Sequence, residues 1–285
     1  MDNLYLLYDC PVIGEPSGYI SPRKGSDVLA EKGLTIVHPF YNERNRFELQ
    51  YNNWAKWSNF VRDRVRVTLI DDGSPDPVHT YITKHKHLNS LNFDIYRIEQ
   101  NLKWNTPGAL NLGLTVAPTE WVLIMDSDCA FNSDNMETLL TADLEPNAVY
   151  KFPRQRLGNE SEDTANRRYL PCTMLMHKSL IWKFGGFDED FTGEHSGGYA
   201  FFDSDFDLRI KETREHPCFI WNNITATEWM PSKTKGEIVQ RSKADEKINR
   251  KLFHAKTEAR GPESYHNPSP ILRFPWKRTY HNERV

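Results

Sequence analysis

Leu69-Ile70-Asp71-Asp72-Gly73-Ser74-Pro75-Asp76 decides how this chain folds. The apolar, β-branched run Val65-Arg66-Val67-Thr68-Leu69-Ile70 stops at two acids and then at Gly-Ser-Pro, the composition of a tight turn. That reads as a buried strand with polar groups at its C-terminal end. The same pattern recurs on either side. Leu34-Thr35-Ile36-Val37 breaks at His38-Pro39-Phe40-Tyr41-Asn42-Glu43, residues 93–98 form a third run, and 121–125 a fourth that ends at Asp126-Ser127-Asp128. Helical patterns over about 46–60 and 109–116 lie between them. Strands alternating with helices predict an α/β fold with a Rossmann-like, mostly parallel central sheet covered on both faces. Ligands of such sheets bind beyond the carboxyl ends of the strands, and here three polar clusters end three strands.

From about Tyr150 the pattern breaks into shorter pieces. Residues 172–176 read as a strand, 178–184 as a short helix, and 207–215 as a helix opened by acids. Another helix is expected over 243–253, before an extended arm (Pro262, Pro268, Pro270, Trp276) that packs on the body or serves association. Residues 1–32 carry Pro11, Gly14, Pro16, Gly18 and Pro22 and predict an irregular extension that wraps or caps the domain.

A chain of 285 residues accommodates one large α/β domain with an appendage. With 38% hydrophobic and 26% charged residues it is neither a disordered tail nor a fibre. Its net charge of −3 offers no overall positive field to nucleic acid. The longest aliphatic run, Val122-Leu123-Ile124-Met125, is far short of the ~20 apolar residues of a membrane span. The N-terminus lacks the charged head and long apolar stretch of a signal peptide. Cys10, Cys129, Cys172 and Cys218 are far apart, which argues against a zinc site and a disulfide scaffold. A soluble, cytoplasmic protein with free thiols is expected.

Asp126-Ser127-Asp128 follows a strand that is apolar at every position. Carboxylates at i and i+2 where the chain leaves a strand can turn toward one ligand. Hard oxygen donors suit Mg2+ or Mn2+, which commonly take one or two carboxylates plus phosphate oxygens. Departure of a diphosphate needs such a cation, because it neutralises the charge that develops as the bond breaks. The plainer account is a polar turn capping the next helix through Ser133 or Asp134, but two other acidic strand ends weigh against it. A phosphatase-type nucleophile is disfavoured by Ala130, where that class carries Thr or Val.

Five stretches resemble, in order, the signatures of family-2-type glycosyltransferases of the GT-A fold. They are Thr35-Ile36-Val37-His38-Pro39-Phe40-Tyr41-Asn42-Glu43, Leu69 to Asp76, Gly108-Ala109-Leu110-Asn111-Leu112-Gly113-Leu114, Leu123 to Asp128, and Gly185-Gly186-Phe187-Asp188-Glu189-Asp190-Phe191. The resemblance implies a GT-A domain over 33–230, with a nucleotide-binding half (33–128) and an acceptor half (129–230), followed by a C-terminal helix and arm (231–285). It implies a nucleoside-diphosphate sugar donor, UDP-linked by preference, a saccharide or glycoconjugate acceptor, and Mn2+ or Mg2+. Pro39 and Tyr41 would lie against the base, and Asp71 or Asp72 would accept from its N–H. Asp126 would meet the ribose or the metal, and Asp128 the metal on the diphosphate. Glu43, Lys103 and Asn111 complete the nucleotide-sugar set. Lys103 would reach the diphosphate, whereas Asn111, like Gly113, also suits close helix–sheet packing.

Inverting transfer needs a carboxylate to take the acceptor's proton. The family's base stands two residues before an Asp-Leu at a helix start. In Phe201-Phe202-Asp203-Ser204-Asp205-Phe206-Asp207-Leu208-Arg209 that places Asp205 at the base position, with Asp203 as runner-up and Ser204 where the family carries Glu. A calcium loop is excluded by Leu208 at the glycine position and Arg214 at the closing glutamate position. The glycine-rich stretch Thr192 to Tyr199 reads as a mobile loop closing over the donor, with His195 as a candidate third ligand or acceptor contact, or simply a solvated histidine. No histidine occurs in Ala226-Thr227-Glu228-Trp229-Met230, where some relatives carry one. Trp104, Trp182, Trp221 and Trp229 are candidate acceptor platforms or core residues. Two rivals stay open. A sugar-nucleotide nucleotidyltransferase would carry a glycine-rich loop after its first strand, which 38–43 lacks, and a non-catalytic sugar-nucleotide or glycan-binding protein is suggested only by Ser204.

Overall fold

The computed structural model describes residues 12–13, 27–82, 85, 89–156, 169–213, 215–221, 223–229, 243–260, 265–267 and 269–284. Most of the expected 1–32 extension, with Cys10, Pro11, Gly14, Pro16, Gly18 and Pro22, lies outside the described residues, as do Arg214, Met230, 231–242, Pro262 and Pro268. The strands are β1 (Val12–Ile13), β2 (Asp27–Val28), β3 (Leu34–Phe40), β4 (Val65–Asp71), β5 (Asn92–Ile98), β6 (Trp121–Ile124), β7 (Cys129–Ala130), β8 (Asp143–Leu144), β9 (Val149–Arg156), β10 (Tyr169–His177), β11 (Cys218–Trp221), β12 (Ala226–Glu228) and β13 (Trp276–Asn282). The helices are α1 (Leu29–Lys32), α2 (Arg44–Trp54), α3 (Asn59–Arg64), α4 (His79–Ile82), α5 (Thr106–Val116), α6 (Ser133–Leu140), α7 (Lys178–Lys183), α8 (Gly193–Ser196), α9 (Phe202–Thr213) and α10 (Lys243–Ala259).

Among the described residues one large sheet runs β1-β11-β9-β10-β6-β3-β4-β5-β13, with β12 bridging β9 and β7. Its centre, β6-β3-β4-β5, is parallel. The expected α/β architecture is therefore present, and its logic is visible along single strands. Leu123 packs into one apolar layer with Phe47, Trp54, Phe131 and Leu139. Its neighbours Val122 and Ile124 pack into the opposite layer with Leu110, Met174, Phe187 and Phe206. Alternation between two buried faces explains why these strands are apolar at every position. On one face α5 presses hard against the sheet, since a Cβ on Gly113 would lie 2.3 Å from Val37 Cγ1.

Several boundaries differ from expectation. The single helix over 46–60 is two, α2 and α3, separated at Ser58, whose side chain accepts from Val61 N. The acid-opened helix begins at Phe202 rather than 207, so Asp203 and Asp205 lie in its first turn. The loop 192–199 contains the helical turn α8. The strand β13 pairs antiparallel with β5, so the C-terminal arm forms an edge of the sheet. Among the described residues no helix is long and apolar enough to cross a membrane.

Candidate functional site

The parallel register brings the ends of β3, β4 and β6 to one edge of the sheet. Beyond β6, the carboxylates of Asp126 and Asp128 and the Cys129 sulfur lie within 4.8 Å of one another. Both acids are half-buried. Ser127 between them donates to Glu43 Oε2 at 2.8 Å, and Glu43 in turn receives Arg46 Nη1 on both oxygens at 2.8 and 2.9 Å. The end of β3 is thereby tied to the acidic turn. Gln50 donates to the Cys129 carbonyl, and Trp229 N donates to the Asp128 carbonyl at 2.8 Å, fixing the turn from the other side. Burial first, and then the Asp126 and Asp128 charges, push the Cys129 thiol well up. It stays protonated, so the usable donors are two hard carboxylates. That set fits Mg2+ or Mn2+ better than a thiolate-seeking metal.

At the end of β4 the two acids part company. Asp71 is completely buried. Its Oδ1 accepts from Ser74 N at 2.9 Å, and its Oδ2 from Val78 N at 3.1 Å and Arg97 Nη1 at 2.7 Å. It braces the turn, with both oxygens bonded within the chain. Gly73 makes this turn possible with φ +70°, and a Cβ there would lie 2.1 Å from the Gln100 carbonyl oxygen. Ser74 Oγ accepts from Asn42 N at 2.9 Å, joining the ends of β3 and β4. Tyr41 donates to Asn101 at 3.1 Å, and Pro39 is half-buried opposite Ile70.

Asp72 is 5% exposed and accepts from Asn105 N at 3.3 Å and Nδ2 at 3.0 Å. Burial nevertheless pushes its carboxyl up from 3.8 to about 7. A raised folded value means the native state holds this proton more tightly than the unfolded chain. The resulting stabilisation is complete below about pH 4 and is lost as pH rises through about 7. Asp72→Asn is expected to flatten the stability–pH profile across this window, where one such group contributes a slope of at most ~1.4 kcal/mol per pH unit. Urea midpoints of both proteins from pH 4 to 8 measure it, and parallel profiles would refute the assignment.

Asn111 and Lys103 are both engaged within the chain. Asn111 is fully buried, donates through Nδ2 to the Phe187 carbonyl and Glu189 Oε1 (2.8 and 2.9 Å), and accepts from Phe187 N. It staples α5 to the 185–191 motif. Lys103 Nζ donates to the Gly197 carbonyl at 2.6 Å, so its head is turned to the α8 segment. His38 is buried against Trp54, with its pKa lowered by burial to about 4, and stays neutral. His195 is exposed on α8. Of the tryptophans, Trp221 belongs to the core with Tyr150 and Phe152.

In the first turn of α9 the acids Asp203 and Asp205, two residues apart, have different surroundings. Asp205 is fully buried, accepting from Arg209 Nε at 2.9 Å on one oxygen and Arg260 Nη2 at 2.7 Å on the other. Arg209 itself donates to the carbonyls of Phe184 and Gly186. The residue expected to be the base is thus the centre of an internal ion cluster, with no face open to an acceptor. Asp203 is partly exposed, and burial, then the Asp207 charge, push its carboxyl above the usual range. The Cys172 thiol on β10 is pushed well up by burial and then by the charges of Asp126, Asp203 and Asp207. Asp126, beyond β6, and Asp203 and Asp207, on α9, therefore all act on one buried thiol of β10. Arg46, Asn105 and Arg260 were not foreseen. Arg46, three residues after Glu43, was discoverable from spacing, but Arg260 was not.

No curated protein matches the chain. Solved structures do. TarS 1–349 of S. aureus in complex with UDP-GlcNAc aligns with TM-score 0.57 at 15% identity, over 79% of this chain and 66% of that one. The mannosyltransferase PcManGT of Pyrobaculum calidifontis in complex with GDP-Man and Mn2+ aligns with TM-score 0.56 at 18% identity, over 90% and 70%. GalNAc-T7 with UDP, GalNAc and Mn2+ aligns with TM-score 0.53 at 10% identity, over 70% and 44%. The chain spans 37% of another TarS chain and 60% of TarS 1–349 with UDP. At these identities the likeness is one of fold, and the fold is GT-A. The family model for glycosyl transferase family 2 matches residues 35–205, which takes in every strand end described above together with Asp203. The chain belongs to glycosyl transferase family 2.

Proposed function

We propose that this chain is an inverting glycosyltransferase that moves a sugar from a nucleoside diphosphate, UDP by preference, to a saccharide hydroxyl. The observation that carries the reading is the Asp126/Asp128 pair, held within 4.8 Å beyond β6, and it is supported by the charges of Asp126 and Asp203 both acting on the buried Cys172 thiol. A metal-dependent donor subsite then faces a carboxylate on the acceptor side. Asp126 and Asp128 would hold Mn2+ or Mg2+, which when bound neutralises charge on the departing diphosphate. Pro39 and Tyr41 supply surfaces for the base, and Asp72, once ionised, an acceptor for its N–H. Asp203 takes the proton of the acceptor hydroxyl as that oxygen bonds to the anomeric carbon. The bond to the diphosphate breaks on the opposite face, and its electron pair leaves with the phosphate. A carboxyl raised above the usual range is the stronger base, which favours Asp203 over the ion-paired Asp205.

A panel of UDP- and GDP-sugars with saccharide acceptors and Mn2+ tests the reading. Release of nucleoside diphosphate from one nucleotide class, lost on chelation, is expected. Saturable sugar-nucleotide binding with no release across the panel would instead support the binding-protein alternative.

A further inference from the structure

Residues 243–260 and 269–284 lie outside the family-matched region 35–205, yet they hold its 185–191 motif through repeated contacts. Lys256 on α10 pairs with Asp188 at 2.7 Å and Asp190 at 2.6 Å, and Arg273 with Asp190 at 2.7 Å. Glu189 accepts from Leu272 N at 2.8 Å. Arg260 reaches Asp205 in the first turn of α9. Between these anchors, Asn249 is fully buried and donates from one amide to two carbonyls, Phe191 at 2.8 Å and Ala200 at 2.9 Å. Ala200 and Phe201 are consecutive non-glycine residues with φ +69°, immediately before α9 and Asp203. Such a step is costly for L-residues and persists only where its surroundings hold it. Here the surroundings are α10. Asn249 grips the Ala200 carbonyl, and the Phe201 ring lies 5.7 Å from Phe253 and 5.5 Å from the Arg250 guanidinium. The approach is tight, since a Cβ on Gly198 would lie 2.5 Å from Asn249 Oδ1.

We propose that 243–260 and 269–284 form a clamp on the acceptor side and that Asn249 is a positioning residue, aiming Asp203 by fixing the left-handed Ala200-Phe201 step. The inference rests on the reading of Asp203 as base. Asn249 touches neither donor nor acceptor, so its loss acts on the orientation of the first turn of α9. Nucleoside diphosphate release by the full chain, with Mn2+ and the active donor, is compared for wild type, Asn249→Ala, and Asn249→Ala combined with Ala200→Gly.

Asn249→Ala is expected to lower kcat by about 10–100-fold, the scale of a misplaced catalytic group, with donor KM changed by no more than about twofold, the extent an intact donor subsite allows. Adding Ala200→Gly is expected to restore most of the lost kcat, because glycine adopts the left-handed step without being held there. A merely structural loss would lower the folded fraction and leave kcat per folded molecule unchanged. If Asn249→Ala unfolds at the assay temperature, Asn249→Leu, branched alike and uncharged but lacking the donor N–H, carries the same expectation. Unchanged kcat in folded Asn249 variants, or a double variant no faster than the single one, overturns the inference while wild-type turnover preserves the glycosyltransferase reading. No release by the wild-type chain overturns both.

Discussion

Asp203→Asn is expected to lower kcat by roughly 10²–10⁴-fold, the range for a general base, while sugar-nucleotide affinity and folding stability hold. The amide keeps the shape but cannot take a proton. Stability holds because the raised carboxyl is an electrostatic cost when ionised, and a neutral amide removes that cost. Asp205→Asn should behave in the opposite way. Both Asp205 oxygens are ion-paired in a cluster whose side chains are 0–7% exposed. Removing the central charge leaves Arg209 and Arg260 buried without compensation, a loss of about 3–5 kcal/mol. Guanidinium unfolding and kcat, measured on both variants, separate the two roles. A stable but inactive Asp205→Asn beside an active Asp203→Asn would reverse the assignment. The pH profile gives a further handle. A base whose carboxyl is held above the ordinary 3.8 shifts the acidic limb of kcat upward, so activity grows with pH through that raised value.

Asp203 and Asp205 also show where sequence reading stops. The central strands were legible because burial on both faces makes them apolar throughout, and their acidic ends because acids recur where three of these strands leave the sheet. The distinction between two acids in Asp203-Ser204-Asp205 was not, because it depends on partners far away in the chain. Arg260 is 55 residues from Asp205. The helix start at Phe202 was equally hidden, since the left-handed Ala200-Phe201 step that precedes it has no glycine to announce it. Asp71 and Asp72 are chemically alike in sequence, and only Arg97 and the Ser74 and Val78 amides assign one of them to the turn. β13 escaped notice because Trp276-Lys277-Arg278 is exposed and shows no apolar period, as befits an edge strand shielded by charge. Local patterning therefore delivered the layers and the strand ends, whereas roles set by a single long-range ion pair required the folded chain.

Asp128→Asn should produce effects of opposite sign on stability and turnover. Asp126 and Asp128 are held close by the Glu43-Ser127 bond and the backbone bond from Trp229, so their mutual repulsion is built into the turn. In the absence of divalent ions, removing one charge should leave stability unchanged or slightly raised. With Mn2+ the order reverses. A cation bound to the native state alone stabilises it by about 2.7 kcal/mol at a hundredfold excess over Kd, and a site reduced to one carboxylate should forfeit most of that gain. Turnover should fall by about 10²–10³-fold, as several kcal/mol of charge stabilisation on the diphosphate are lost. Melting curves of wild type and variant, with and without Mn2+ and UDP, read out both arms. A variant that still melts higher with Mn2+ and UDP by the wild-type increment would place the cation elsewhere, because the remaining donors near Asp126, a protonated Cys129 thiol and a Glu228 already paired with Arg154 at 3.3 Å, are poorly suited to replace Asp128.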